Sequence, residues 1–345
     1  MKKKCLILAE GSYGSGDAKT AHGLVRYSQK FTISGIIDST LEGKDAGEIL
    51  DGNTKNIRIY ADLKQALQDV PDTKYLLIGV ATSGGILPEG YIDIILKAIR
   101  RGINIVNGLH FYLTDDPELV REASDNDVEL IDIRKQFNMY NTFFSGKIDD
   151  VSSRKVAVLG IDSAIGKRTT AIMLHHAIEK YGKNSIFVAM GQTGWMQGFK
   201  YAIVLDAIIL DFVTGAIEDV IWQAWKAENP DFIITHGEGA LLHPACPGGA
   251  ELIGGGQPDH IILQHAPARR YFDDFPQYKI VSLEKNIDII DLLSGKKPAA
   301  ITINSEGLSK QEAFKEAGRI EEETGIMTRL PLFETMDDIA RKIIG

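Results

Sequence analysis

Short apolar runs alternate with stretches of helical periodicity along almost the whole chain, and few folds accept that pattern. A strand of a parallel sheet is covered on both faces, so it reads as a continuous apolar run rather than an in–out alternation. The connection between two such strands needs a crossover, usually a helix. In the first half the apolar runs are residues 5–9, 31–37, 75–80, 103–106 and 128–131. Between them Ile92, Ile95, Leu96 and Ile99 recur at i, i+3, i+4 and i+7, which marks a helix face that Gly102 stops. Asp116-Pro117 offers an N-cap and a first-turn proline for another helix. The second half repeats the pattern with runs at 155–159, 185–189, 232–235, 261–263 and 299–303. Leu174, Ala177, Ile178 and Tyr181 mark one helix, which Gly182 ends, and Ile217, Val220, Ile221, Ala224 and Trp225 mark another. Ser309 with Glu312 and Thr335 with Asp338 have capping-box spacing.

The expectation is an α/β protein with two doubly wound, mostly parallel sheets. A length of 345 residues suits two domains. The small, polar stretch 145–153 is the natural boundary, giving domains 1–150 and 151–345. The net charge of -9 argues against nonspecific binding to nucleic acid or anionic membrane. Two cysteines, Cys5 and Cys246, make no disulfide framework and point to a reducing compartment, the cytoplasm. The apolar run after Lys2-Lys3-Lys4 stops at Glu10, too short for a signal peptide. The stretch 202–221 carries Asp206, Asp211, Glu218 and Asp219, which argues against a membrane span.

The strongest chemical signal is residues 156–170, where a strand runs into a loop and the loop into a helix. The loop reads Gly160-Ile161-Asp162-Ser163-Ala164-Ile165-Gly166-Lys167-Arg168-Thr169-Thr170. Successive backbone N–H groups and a helix N-terminus make an anion nest, and Lys167 adds a mobile cation. The match to a P-loop is imperfect. The first glycine stands one place early, and Arg168 replaces the hydroxyl that normally binds magnesium. The residues therefore favour a phosphate grip over a magnesium site.

Three more stretches follow predicted strands. Gly191, Gln192 and Thr193 would lie at the carboxyl edge of the sheet beside the loop. Ile208-Ile209-Leu210-Asp211 reads as an apolar strand ending in a carboxylate, as a Walker B strand does, which makes Asp211 a candidate site acid. His236-Gly237-Glu238 with His243 offers Glu238 as a general base, and His236 or His243 as a proton shuttle. A zinc site from His236, His243 and Cys246 fits no standard ligand spacing, so no metal is expected. In the first half, Gly11-Ser12-Tyr13-Gly14-Ser15-Gly16 has its glycines in the wrong order for a dinucleotide loop, although Asp38 stands where a ribose-binding acid would.

In combination these stretches resemble a family first described as a domain of unknown function, with a Rossmann-like N-terminal part and a P-loop NTPase-like C-terminal part. Its better-characterised branch is D-glutamate N-acetyltransferase, acting in D-amino-acid catabolism. The resemblance covers nearly the whole chain and rests on 17–24, 162–170, 191–194, Asp206 with Asp211-Phe212, Glu238-Gly239 with His243-Pro244, and 257–259. It implies acetyl-CoA as donor, an acidic amino acid as the small-molecule acceptor, and a phosphate grip made by the loop. Glu238 or His243 would then be the base that deprotonates the acceptor amine, backbone N–H groups or a side chain near Gln192 would hold the oxyanion, and Arg168 or another cation would hold the substrate carboxylate. The loop has Ser163 where the family has cysteine, which removes a thiol nucleophile there. The residues also suit an ATP- and magnesium-dependent ligase of the dethiobiotin-synthetase type, or a nucleotide-binding regulator. A nicotinamide oxidoreductase is the weakest alternative. The helix bearing Trp222 and Trp225 can serve a homo-oligomer interface.

Overall fold

The computed structural model describes residues 2–345. Its strands, in chain order, are β1 (Lys3–Leu8), β2 (Phe31–Ile37), β3 (Ile59–Tyr60), β4 (Tyr75–Ile78), β5 (Asn104–Asn107) and β6 (Leu130–Asp132). There follow β7 (Arg154–Gly160), β8 (Ser185–Met190), β9 (Tyr201–Ile203), β10 (Phe232–His236), β11 (His260–His265), β12 (Tyr271–Phe272), β13 (Phe275–Lys279), β14 (Ala300–Ile303) and β15 (Thr328–Arg329). Contacts divide the chain into two compact units. The first takes the chain up to Met139 together with Gln192–Phe199, and the second takes Tyr140–Gly191 and Lys200–Gly345. Among the described residues no helix is long and apolar enough to cross a membrane.

In the first unit six parallel strands run in the order β3-β2-β1-β4-β5-β6. This is the doubly wound arrangement, with the reversal of strand order at β1 and β4. In the second unit seven parallel strands run β15-β14-β11-β7-β10-β8-β9. Both sheets follow from the apolar runs. β8 and β10 are buried at every residue, and β7 is buried from Val156 to Gly160. Each fully buried Val, Ile or Leu contributes roughly 1.5–3 kcal/mol, so the two-faced strands supply much of the core.

The capping signals divide. Asp116 accepts from Glu118 N and Leu119 N, and Ser309 with Glu312 forms a complete capping box. Thr335 does not cap, because the last helix, Asp337–Ile344, begins after Met336 and has no side-chain cap. The polar stretch near 145 is held inside the second unit, and the change of unit falls earlier, at Met139. The cause is Glu218, which is fully buried. Its carboxylate accepts from Ser145 N at 2.8 Å, Ser145 Oγ at 2.9 Å and Ile148 N at 3.2 Å.

Candidate active site

β7 lies in the middle of the second sheet, between β11 and β10. The chain leaves it toward β8, and later returns through β10 to the opposite flank with β11, β14 and β15. The carboxyl end of β7 is therefore the switch point where α/β sheets form their ligand crevices. Residues 160–170 occupy that point. The loop turns through Ala164 (φ 50°) and Gly166 (φ 95°) before the helix Lys167–Lys180 begins. The backbone N–H groups of Ala164, Ile165 and Gly166 donate to no group among the described residues. Lys167 folds back so that Nζ donates to the Asp162 carbonyl at 2.6 Å. Gly160 makes room for that path, since a Cβ there would lie 2.8 Å from Lys167 Cδ. Asn304 Nδ2 donates to the Ile165 carbonyl at 2.9 Å and pins the far side of the loop. Free donors, a lysine and a helix N-terminus thus face one point, which is what a phosphate requires.

The hydroxyls of this loop do not serve a metal in the P-loop manner. Thr170 Oγ1 donates to Gln264 Oε1 at 2.7 Å, and Thr302 Oγ1 donates to the same oxygen at 2.6 Å. Thr170 is thereby turned into the sheet. Arg168, half-buried, stands directly after the lysine, and Thr169 is half-buried beside it.

Asp162 is fully buried and organises the loop. Its Oδ1 accepts from Ser163 N at 2.7 Å, and its Oδ2 from Arg269 Nη1 at 2.9 Å and Asp273 N at 3.1 Å. Arg269 also donates Nη1 to the Ser163 carbonyl at 3.0 Å and Nη2 to Glu306 at 2.8 Å. Burial works against the Arg269 charge, but the bonds to Asp162 and Glu306 outweigh it and hold the guanidinium above its ordinary pKa. Ser163 Oγ donates to Asp273 Oδ2 at 2.9 Å. Asp273 lies in the turn between β12 and β13, so this antiparallel hairpin is clamped onto the loop. No local pattern announces the clamp, because Arg269 and Asp273 lie more than a hundred residues beyond Asp162.

Glu238 and His243 follow β10, the next strand over. The Glu238 carboxylate lies over the backbone of Gly191 at the end of β8, where a Cβ would come 1.9 Å from Oε1. Gly191 also has φ 84°, so the position requires glycine twice over. His243 is buried, and its Nδ1 accepts from Ala245 N at 3.2 Å and Cys246 N at 2.9 Å. The neutral ring must then carry its proton on Nε2, which lies 3.6 Å from Asp162 Oδ1, beyond hydrogen-bond length, and has no hydrogen-bond partner among the described residues. The edges of Phe272 and Phe275 pack against the ring. His243 is a donor facing the loop carboxylate, and the base role left open by the sequence does not suit it.

Other expectations need correction. His236 is buried, accepts from Met190 N at 3.1 Å through Nε2, and turns Nδ1 toward the Gly237 carbonyl at 3.4 Å. Burial, then the charge of Arg168, pushes its pKa down to about 3. It is a neutral structural residue, with no nitrogen left for a proton shuttle or for zinc. Asp211 does not end a strand. It is an exposed residue in the first turn of the helix Leu210–Glu228, so the Walker-B comparison fails. Gln192 and Thr193 begin the helix Gln192–Gln197 of the first unit. There Gln192 accepts from Arg134 at 3.3 Å, and the Thr193 hydroxyl pairs with that of Thr20 at 2.9 Å. Those bonds spend the side chains in the packing of the first unit.

The first sheet offers no comparable grip at Asp38. That buried carboxylate accepts from Gly11 N at 3.2 Å, Tyr13 N at 2.8 Å, and Thr40 N and Oγ1 at 3.0 and 2.6 Å. Its acceptor sites are filled by its own loops, which takes away the ribose contact a nicotinamide cofactor would need.

Comparison with known proteins agrees with this geometry. Residues 142–340 match the model of a domain of unknown function (DUF1611) described as a P-loop domain, and residues 39–136 match its Rossmann-like N-terminal partner. A D-glutamate N-acetyltransferase of Tritonibacter scottomollicae is 31% identical over 261 residues, covering 73% of this chain and 76% of that protein. One from a Pseudoalteromonas species is 29% identical over 277 residues, covering 78% of this chain and 81% of the relative. A crystal structure of a DUF1611 family protein from Anabaena variabilis superposes with a TM-score of 0.90 at 28% identity, covering 99% of both chains.

Proposed function

The chain belongs to the DUF1611 family, and on that premise we propose that it moves an acetyl group from acetyl-CoA to the amine of D-glutamate or a similar acidic amino acid. The observation that carries the reading is the loop 160–166. It aims unpaired N–H groups and Lys167 at one point, yet lacks the hydroxyl that would hold magnesium directly after the lysine. Such a grip suits a phosphorylated carrier that is bound and not hydrolysed. The curated relatives named above support the choice of reaction and acceptor.

In this reading Lys167 and the loop N–H groups hold a phosphate of the carrier. Glu238, at the carboxyl edge one strand away, takes a proton from the substrate ammonium and leaves a neutral amine. The amine nitrogen attacks the thioester carbonyl carbon, the C–N bond forms, the C–S bond breaks, the thiolate leaves with the bonding pair, and the second proton shed by the new amide nitrogen passes to that thiolate. Arg168, half-buried directly after the lysine, is a candidate to steady the negative charge on the carbonyl oxygen. His243 faces Asp162 with its Nε2 proton, while Arg269 and the N–H groups of Ser163 and Asp273 hold that carboxylate and hence the loop. The free thiols Cys5 and Cys246 suit a cytoplasmic setting.

Binding tests the grip. Acetyl-CoA and CoA should raise the melting temperature in proportion to the logarithm of concentration, and Lys167→Ala should remove that rise while leaving the ligand-free melting temperature within a few degrees. Stabilisation by ATP with magnesium and none by CoA would replace this reading with the ATP-dependent one.

A further inference from the structure

Beside the phosphate loop lies a cavity of about 350 Å³, lined among others by His265, Arg269, Arg270, Lys279 and Ser282. His265 ends β11, one residue past Gln264, which pairs with Gly160 at the start of the loop. The cavity thus opens at the same carboxyl edge as the proposed reaction, one strand from it.

The lining is unusual for this chain. Three of its residues are Lys or Arg and none is Asp or Glu, in a protein of net charge -9. Arg269 is neutralised by Asp162, Glu306 and Asp273 and adds no free charge. The side chains of Arg270 and Lys279 have no ion-pair or hydrogen-bond partner among the described residues. Lys279 ends β13, and Arg270 directly precedes β12, where Tyr271 pairs with Lys279. Ser282 caps the helix Leu283–Ser294, so a helix N-terminus also points its partial positive charge toward the cavity. His265 Nδ1 is buried with no hydrogen-bond partner among the described residues. Burial, then the charge of Arg319, pushes the His265 pKa down to about 4, so the ring is neutral there. The nearest acids act from outside the lining: Asp162, Asp273 and Glu306 on Arg269, and Glu284 and Glu316 on His265.

We infer that this cavity binds a carboxylate of the acceptor amino acid, with Arg270 and Lys279 as the charged contacts. The inference rests on the proposed acetyl transfer. The cavity is far too small for a whole carrier molecule, and the phosphate donors lie in the loop itself. The two cations therefore distinguish a dicarboxylic amino acid from a neutral one. An anion of either source, a carboxylate or a carrier phosphate, meets the same chemistry, and the experiment separates them.

Calorimetric titration of the full chain at low salt, with D-glutamate, glutarate and CoA in turn, reads the site directly. Arg270 and Lys279 are exposed, so Arg270→Ala/Lys279→Ala should fold normally, which a melting curve checks. The expected result is a dissociation constant for D-glutamate and glutarate raised at least about tenfold, with CoA changed by less than about twofold. Arg270→Glu should weaken both dicarboxylates further. Unchanged dicarboxylate binding in the double variant, or a loss confined to CoA, overturns the assignment. The two readings fail separately. If the wild type acetylates D-glutamate and the double variant keeps its KM, the cavity is wrong and the activity stands. If the wild type binds glutarate through these residues and acetylates no amine, the activity is wrong and the site stands.

Discussion

His236 illustrates how a residue that looks catalytic can be structural. It is buried at the end of β10, stacked on Phe187 and bonded to backbone on both ring nitrogens. Its pKa is pushed down to about 3 in the fold and is about 6.5 in the unfolded chain. Between those values the unfolded chain binds more protons, so its contribution to stability is complete above about pH 6.5 and is lost as the pH falls toward 3. The expected slope from this one group is at most about 1.4 kcal/mol per pH unit. Urea unfolding of His236→Gln between about pH 6 and 4.5 should show a shallower pH dependence than the wild type by about 1 kcal/mol per unit. Equal slopes would mean that the histidine is charged in the fold. At this scale the sequence gives residue types and spacing but not tautomers. His243 and Glu238 were both legible as candidates, and only the bonds from Ala245 N and Cys246 N divide their roles.

At the scale of elements, apolar runs predict buried strands well because a two-faced strand leaves few alternatives. Short edge strands escape that logic: β3, β9 and β15 have two or three residues each. The run before Asp211 failed for the opposite reason. Ile209 and Leu210 are 59% and 82% exposed, so their apolarity is not evidence of a strand core. The β12–β13 hairpin was invisible because its clamp on the loop joins residues far apart in the chain. Arg269 holds this element in place. Arg269→Ala leaves the buried Asp162 carboxylate without its cation, and should cost about 3 kcal/mol in chemical unfolding. Adding Asp162→Asn should recover part of that loss, since an uncharged amide no longer needs the guanidinium. A loss below about 1 kcal/mol in the single variant would show that the backbone N–H groups of Ser163 and Asp273 suffice to hold the charge.

For the whole molecule, the sequence reading yielded two parallel α/β sheets and the position of the phosphate loop. The compact units cut the chain differently, because Gln192–Phe199 packs with the first unit through Thr193, Gln192 and Gln197. A segment exchanged between units leaves no mark in composition. The proposed function rests at this scale on a loop whose free N–H groups and lysine suit a phosphate, a carboxylate at the neighbouring strand end, and relatives named for acetyl transfer to D-glutamate. The most direct measurement is to incubate the purified chain with acetyl-CoA and D-glutamate and to follow free thiol and the N-acetylated product by mass spectrometry. The account predicts one thiol released per N-acetyl-D-glutamate formed without ATP or magnesium, and a kcat at least about a hundredfold lower for Glu238→Gln. No acetylated product from any acidic amino acid, or full turnover in Glu238→Gln, would contradict it.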